Sequence, residues 1–332
     1  MNSTVAVAGG LGDLGRLIVD ALRKTGKHDV YVLSRKIPND TLEQTSPLTG
    51  KKFSPVIKAD YSSEESLAQL LEQYQIHTVI CAMAMDFEDA SHAQLRLIRA
   101  ADAASCVQRF IPSEFNVDYD LCDDILPYPE KRFHTVARRA LETTSSLEYT
   151  YIYPGMFMDY FGMPHIETHL RPLPLIIEPA AGQAVVPGDG NAMVFMSYTK
   201  DVALYTALAL QIEKWPRVLT VRSSGITLNR LVELVEENLG RKLQVTYEPV
   251  EERLLQHQTA MLPSSLEHSS HFPGGIEQLT ALMADLGACM ALGAYDFTGL
   301  KDSADLVEIF QAQTEAPPMR IERLLQLAWK GR

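Results

Sequence analysis

The chain predicts an α/β fold: a doubly wound parallel sheet followed by a smaller, mainly helical capping region. Three observations carry this. Strand and helix signals alternate through the first 160 of its 332 residues. The strands among them are apolar almost throughout, as strands covered on both faces must be. A glycine cluster, "GGLGDLG", joins the first strand to the first helix. Composition agrees, with 46% hydrophobic and 22% charged residues, the balance of an ordinary globular protein.

In chain order, Val5–Ala8 reads as the first strand and Arg16–Thr25 as its helix. "HDVYVLSR" carries the second strand and "SPVIKADY" the third. "SSEESLAQLLEQY" is a helix, with a serine cap and glutamates in its first turn. "HTVICAMA" is the fourth strand, "SHAQLRLIRAADAAS" the next helix and "VQRFIPSEF" the fifth strand. "PEKRFHTVARRALETTS" is a helix with proline in its first turn. "EYTYIYPGMF" is the sixth strand. Residues 161–195 are proline-rich and hold the turn "VPGDG". "YTKDVALYTALALQ" is a helix, "RVLTVRSS" a strand, and "TLNRLVELVEENLG" a helix that stops at Gly240. Residues 250–325 read as mainly helical, broken by Pro263, Pro273 and Gly274-Gly275. This divides the chain into a nucleotide-binding domain at 1–160 and a substrate-capping region at 161–332. Segments at about 195–240 are expected to return to the main sheet.

The net charge of −12 repels phosphate backbones and argues against nucleic-acid binding. No apolar run reaches membrane-spanning length, and the first strand begins too early to leave room for a signal peptide. Cys81, Cys106, Cys122 and Cys289 are scattered and read as reduced thiols of a cytoplasmic protein. "HIETH" could place His165 and His169 one helical turn apart, but prolines flank it and no third ligand is evident. His268 and His271 fall in a loop-like stretch. No metal site is expected, and no G-x-S-x-G points to hydrolysis.

The glycine cluster carries the first functional signal. Gly9, Gly12 and Gly15 form G-x-x-G-x-x-G, and Gly10, Gly12 and Gly15 also satisfy G-x-G-x-x-G. Such a loop leaves a strand tightly, lets a pyrophosphate approach bare backbone, and sets helix amides against negative charge. A plain glycine-rich turn would look the same. Ser34-Arg35-Lys36 ends the second strand, where a site for NAD would place an acid. A hydroxyl and two cations there suit a 2′-phosphate, so the expected cofactor is NADP(H).

"VAVAGGLGDLGRLIVDAL", "VLSRK", "IKADY", "RFIPSEFNVD" and "YTYIYPGMFMDYFG" together resemble the NmrA-like branch of the atypical short-chain dehydrogenases. That branch includes isoflavone reductases, phenylcoumaran benzylic ether reductases and fungal secondary-metabolism proteins. The resemblance runs from residue 4 to about 240. It implies a Rossmann core with NADP(H) along the carboxyl ends of the strands. By position, Gly9, Gly12 and Gly15 with Leu11, Asp13 and Leu14 would cradle the pyrophosphate. Ser34, Arg35 and Lys36 would hold the 2′-phosphate, and Asp60 and Tyr61 would border the adenine. Ala82 and Met83 would lie along the ribose, with Ser113, Glu114 and Phe115 near the nicotinamide. Pro154, Gly155, Met156 and Phe157 would close that side.

The catalytic position departs from the resembled pattern. Reductases of that branch carry a lysine four residues before an Arg-Arg pair. Here the pair is Arg138-Arg139, and His134 stands at the lysine's place, with Lys131 three residues earlier. At about 100° per residue, Lys131 and Arg138 nearly eclipse, with His134 some 60° away. The three form a polar stripe opposite Phe133, Val136, Ala137 and Ala140. A histidine can donate a proton near neutral pH, and a lysine can steady a developing alkoxide. The alternative is a solvated helix face.

Substrate-facing candidates are apolar: Met85 and Phe87 after the fourth strand, and Met156, Phe157, Tyr160 and Phe161 after the sixth. They sit where open α/β sheets bind ligands. The expectation is an NADP(H)-dependent oxidoreductase acting on a bulky apolar secondary metabolite, a monomer or homodimer. Hydride would pass to a conjugated carbonyl or imine, or the cofactor would be recycled within an isomerisation or cyclisation. The rival reading is a regulatory protein that senses NADP(H) without catalysis.

Overall fold

The computed structural model describes residues 2–85, 87–173 and 175–332, so Pro174 of the proline-rich stretch lies outside the described residues. Six parallel strands form the main sheet: β1 (Ser3–Ala8), β2 (His28–Ser34), β3 (Val56–Lys58), β4 (Thr78–Cys81), β5 (Arg109–Ile111) and β6 (Glu148–Tyr149). Their spatial order is β3-β2-β1-β4-β5-β6, paired in parallel throughout. The order reverses between β1 and β4, which opens a crevice at their carboxyl ends.

Helices α1 (Asp13–Lys24) and α5 (Thr199–Ala209) cover one face. There Ile18, Val19 and Leu22 meet Val202, Ala203 and Tyr205 in one apolar cluster. Helices α2 (Glu64–Gln73), α3 (Glu88–Ala103) and α4 (Lys131–Glu142) cover the other, with Leu67, Leu71, Leu97, Ile98, Ala137 and Leu141 buried. Local chemistry sets the helix ends. The Ser63 hydroxyl accepts from the Ser66 amide and starts α2 with two glutamates in its first turn. By contrast α1 begins at Gly12, which offers no side-chain cap.

The sixth predicted strand is interrupted. After β6 the chain shifts at Thr150, and β7 (Tyr151–Tyr153) pairs with new partners. The Thr150 hydroxyl donates to Pro216 O, and the Tyr151 amide to Arg217 O. The partners are β8 (Val218–Thr220) and, beyond it, β9 (Ser303–Asp305), all parallel. The second of these falls in a stretch read from sequence as mainly helical. Residues 250–264 also contain no α-helix; helix resumes at Ser265–Ser269 and in α7 (Gly275–Ala291) and α8 (Ile321–Trp329).

A second small sheet joins Met156–Phe157, Met193–Ser197 and Ser224–Thr227. Helix α6 (Leu228–Leu239), capped by Thr227 and ended by Gly240 in the left-handed region, packs on α8. Among the described residues no helix is long and apolar enough to cross a membrane. Residues 165–169 form no helix, so His165 and His169 are not held one turn apart. All four cysteines are free thiols, and burial pushes Cys81 and Cys289 up to about 12.

Candidate active site

The glycine loop lies in the crevice between β1 and β4. Gly9 has φ +78°, and a Cβ there would stand 2.6 Å from Ala82 O. The Gly12 amide closes the turn on Gly9 O at 2.8 Å. A Cβ on Gly15 would be driven into that same Gly9 oxygen, far inside van der Waals contact. The loop is therefore folded so tightly on itself and on β4 that side chains have no room. Leu11 and Gly12 are exposed at its tip, while Leu14 and Gly15 are buried against the strand. With no side chain capping α1, its first amides remain to meet an anion.

At the end of β2, on the side of β1 away from β4, the Ser34 hydroxyl donates to Lys36 O and accepts from the Lys36 amide. This turns the chain at the end of β2 and leaves Arg35 and Lys36 exposed. Asp60 is exposed and holds the Ser62 amide and hydroxyl. The half-buried Tyr61 donates to Leu33 O. Ala82 and Met83 are half-buried at the end of β4.

Ser113 anchors the next loop with all its polar groups. Its amide donates to Gln94 Oε1 at 2.7 Å, and its hydroxyl to Met83 O at 2.7 Å. Its carbonyl takes His134 Nδ1 at 3.0 Å. A carbonyl can only accept, so Nδ1 carries the hydrogen and Nε2 is left as an acceptor. His134 is 7% exposed and lies flat against Tyr119, with ring centroids 3.6 Å apart. Burial depresses its pKa to about 3, with the Ser113 bond opposing and Arg138 adding to the fall. That fall favours the neutral ring near neutral pH, with Nε2 as its acceptor atom.

The polar stripe on α4 faces inward, so the apolar face is not where the pattern placed it. Phe133, His134, Ala137, Arg138 and Leu141 are buried, whereas Val136 is 42% exposed. Lys131 and His134 are not brought to one point. Lys131 Nζ donates to Leu121 O at 2.9 Å and pairs with Asp123 at 2.5 Å, turned to the 121–123 loop. Arg138 is 2% exposed and grips Glu114 through Nε and Nη2, Asp118 through Nη1, and the Tyr153 hydroxyl. Burial works against its charge, but Glu114 and Asp118 hold it above the ordinary arginine value. The Glu114 side chain is fully buried in this ion pair. Asn116 O accepts the Gly155 amide, which ties the 113–120 loop to the Pro154–Phe157 segment.

The substrate candidates divide. Met85, Met156 and Phe161 are buried in the core; Gln94 Nε2 reaches Met85 Sδ, and Phe161 O takes Trp329 Nε1–H. Phe87 is 57% exposed, and Phe115, Phe157 and Tyr160 are half-buried. The residues that sequence reasoning missed are Gln94 and Tyr119. Each is buried by an element distant in sequence, and no local pattern marks them.

The NmrA-like family model matches residues 1–284. The chain is 31% identical over 272 residues to Oxidoreductase swnN of Metarhizium robertsii, covering 74% of this chain and 76% of that protein. It is 32% identical over 249 residues to Bifunctional pinoresinol-lariciresinol reductase 1 of Linum usitatissimum, covering 73% and 77%. The solved structure of AtPrR2 with NADP+ and (+)pinoresinol has the same fold, with TM-score 0.72 at 23% identity over 98% of this chain and 99% of that one.

Proposed function

The chain belongs to the NmrA-like family, and from that premise we propose that it is an NADP(H)-dependent oxidoreductase for a bulky, largely apolar small molecule. The observation that carries the reading is the cradle at the β1–β4 crevice, where Gly9 and Gly15 exclude any side chain and Arg35 and Lys36 stand exposed beside it. These residues fit a dinucleotide phosphate. Bare loop backbone and the uncapped start of α1 would take the pyrophosphate. Ser34, Arg35 and Lys36 would take the 2′-phosphate. Asp60 and Tyr61 would border the adenine, and Ala82 and Met83 the ribose. Relatives with reductase names support the class of chemistry.

NADPH supplies a hydride when bound. Ser113, fixed at three points, holds His134 as the Nδ1–H tautomer. Its Nε2 then accepts a hydrogen bond from a hydroxyl or N–H of the substrate and orients it. Phe87, Phe157 and Tyr160 supply apolar wall and orient the ligand. We assign Lys131 no catalytic part, because its ammonium is occupied by Leu121 O and Asp123. Hydride transfer to a conjugated carbonyl or imine, completed by a proton from solvent water and with or without net cofactor consumption, is the reaction this arrangement serves in secondary metabolism.

The test is incubation of purified protein with NADPH and a panel of enone and iminium metabolites, following cofactor absorbance and product mass. Turnover of a panel member supports the enzyme. Tight NADPH binding without turnover across the panel favours the cofactor-sensing reading instead.

A further inference from the structure

Gln94 is fully buried in the middle of α3, a costly place for an amide unless its polar atoms are used. Its Oε1 accepts the Ser113 amide at 2.7 Å, and its Nε2 reaches Met85 Sδ at 3.6 Å.

The register of the sheet shows what the first of these bonds replaces. Strands β4 and β5 pair as far as Ile80 and Ile111, and the Arg109 amide donates to His77 O at 3.2 Å. Carried one step further, that parallel ladder would give the Ser113 amide to Cys81 O and the Met83 amide to Ser113 O. Instead the Ala82–Met83 peptide lies against Gly9, where a Cβ would stand 2.8 Å from Met83 N. Met83 turns its carbonyl to the Ser113 hydroxyl. Two side chains take the ladder's places: Gln94 accepts the Ser113 amide, and His134 Nδ1 donates to the Ser113 carbonyl. The same helix also holds His134's own backbone. Ser91, three residues before Gln94, donates to Phe133 O at 3.3 Å. One buried face of α3 thus anchors both the start of α4 and the loop whose carbonyl the ring binds.

We infer that Gln94 is a positioning residue of the site. It holds β4 and β5 apart at the crevice and keeps Ser113 O turned to His134, which fixes the ring as the Nδ1–H tautomer. Without the Gln94 oxygen the Ser113 amide must find another acceptor, the loop turns with it, and His134 loses its fixed partner. The inference rests on the reading of Nε2 as the atom that meets the substrate, but the tautomer itself is measured without substrate or cofactor.

The experiment uses the full chain labelled with nitrogen-15 histidine, at pH 8, with His134 assigned as the signal missing from His134→Gln. A ring locked in one tautomer shows two widely separated nitrogen shifts, and exchange between tautomers draws them together. Wild type is expected to show a locked ring with its hydrogen on Nδ1. Gln94→Met keeps the length but loses the acceptor, and Gln94→Asn stops one methylene short; in both the shifts are expected to converge. Gln94→Glu keeps an oxygen in place and is expected to restore the wild-type pattern. Thermal melts show which variants are folded. Unchanged shifts in a folded Gln94→Met or Gln94→Asn overturn the inference, as does a wild-type ring with its hydrogen on Nε2. If neither variant folds, Gln94→Glu decides: a locked Nδ1–H ring supports the inference, while an exchanging ring or loss of the fold overturns it. Calorimetry with NADPH tests the site reading separately. A Gln94-dependent tautomer in a protein that binds no NADPH leaves the control of His134 standing and overturns that reading.

Discussion

Replacing His134 by Gln isolates one buried titration. Glutamine keeps an N–H for Ser113 O but takes up no proton in the working range. In the wild type the ring has a pKa near 3, against an ordinary 6.5 in the unfolded chain. The sign follows from which state binds the proton. Between those two values the unfolded chain is protonated at this residue and the folded protein is not. Stability is therefore lost as pH falls below about 6.5 and continues to fall toward about 3. Each pH unit in that window costs about 1.4 kcal/mol for one proton, so the loss from this residue between pH 8 and pH 5 is about 2 kcal/mol. Urea denaturation of both proteins at the two pH values measures it. All groups common to the pair cancel in the double difference. The variant is expected to lose about 2 kcal/mol less than wild type on acidification. Parallel losses would refute a neutral, buried His134 and with it the acceptor role of Nε2.

Other perturbations test other parts of the site. Arg138→Met strands the carboxylates of Glu114 and Asp118 without their cation. Breaking a buried pair from one side costs about 3–5 kcal/mol, read as a drop in unfolding free energy; a loss below about 1 kcal/mol would contradict it. Lys131→Ala gives up a pair whose partner Asp123 is exposed, so it costs under about 1 kcal/mol and leaves NADPH affinity and turnover intact. A collapse of turnover with intact binding would restore Lys131 as a catalytic residue. Gly15→Ala forces a methyl into Gly9 O, opening the loop at a cost of about 1–3 kcal/mol and abolishing NADPH binding by calorimetry. Wild-type affinity in that variant would show that the cradle tolerates a side chain.

Much of the sheet was legible because its signals are local. The first five strands and their helices each carry an apolar run or a helical period, and the glycine loop announces the crevice. What was not legible depends on segments meeting from far apart. Val218–Thr220 and Ser303–Asp305 pair beside Tyr151–Tyr153, yet strands of three residues are too short to show a period. The spacing of Lys131, His134 and Arg138 grouped them on one helix face. It could not say that the face turns inward, because Ser113 O, Glu114 and Asp118, which receive His134 and Arg138, arrive through tertiary packing. Polar residues on a helix read as solvated until their partners are seen. Met85, Met156 and Phe161 are buried, and apolar residues at strand ends look alike in sequence whether a ligand or a second layer covers them.

The strand at Ser303–Asp305 also bears on how the protein is made. Until it docks, β8 is an edge strand with the sequence Val-Leu-Thr, an open template for pairing with another chain. During synthesis that edge stays open until residues 303–305 have been made. Its cover is short and polar, Ser-Ala-Asp, a poor template in turn. Asp305 also accepts the amides of Arg222 and Val307, which fastens the late strand to the early one. Closing that edge takes a parallel pairing between segments far apart in the chain, a slow kind of contact to form.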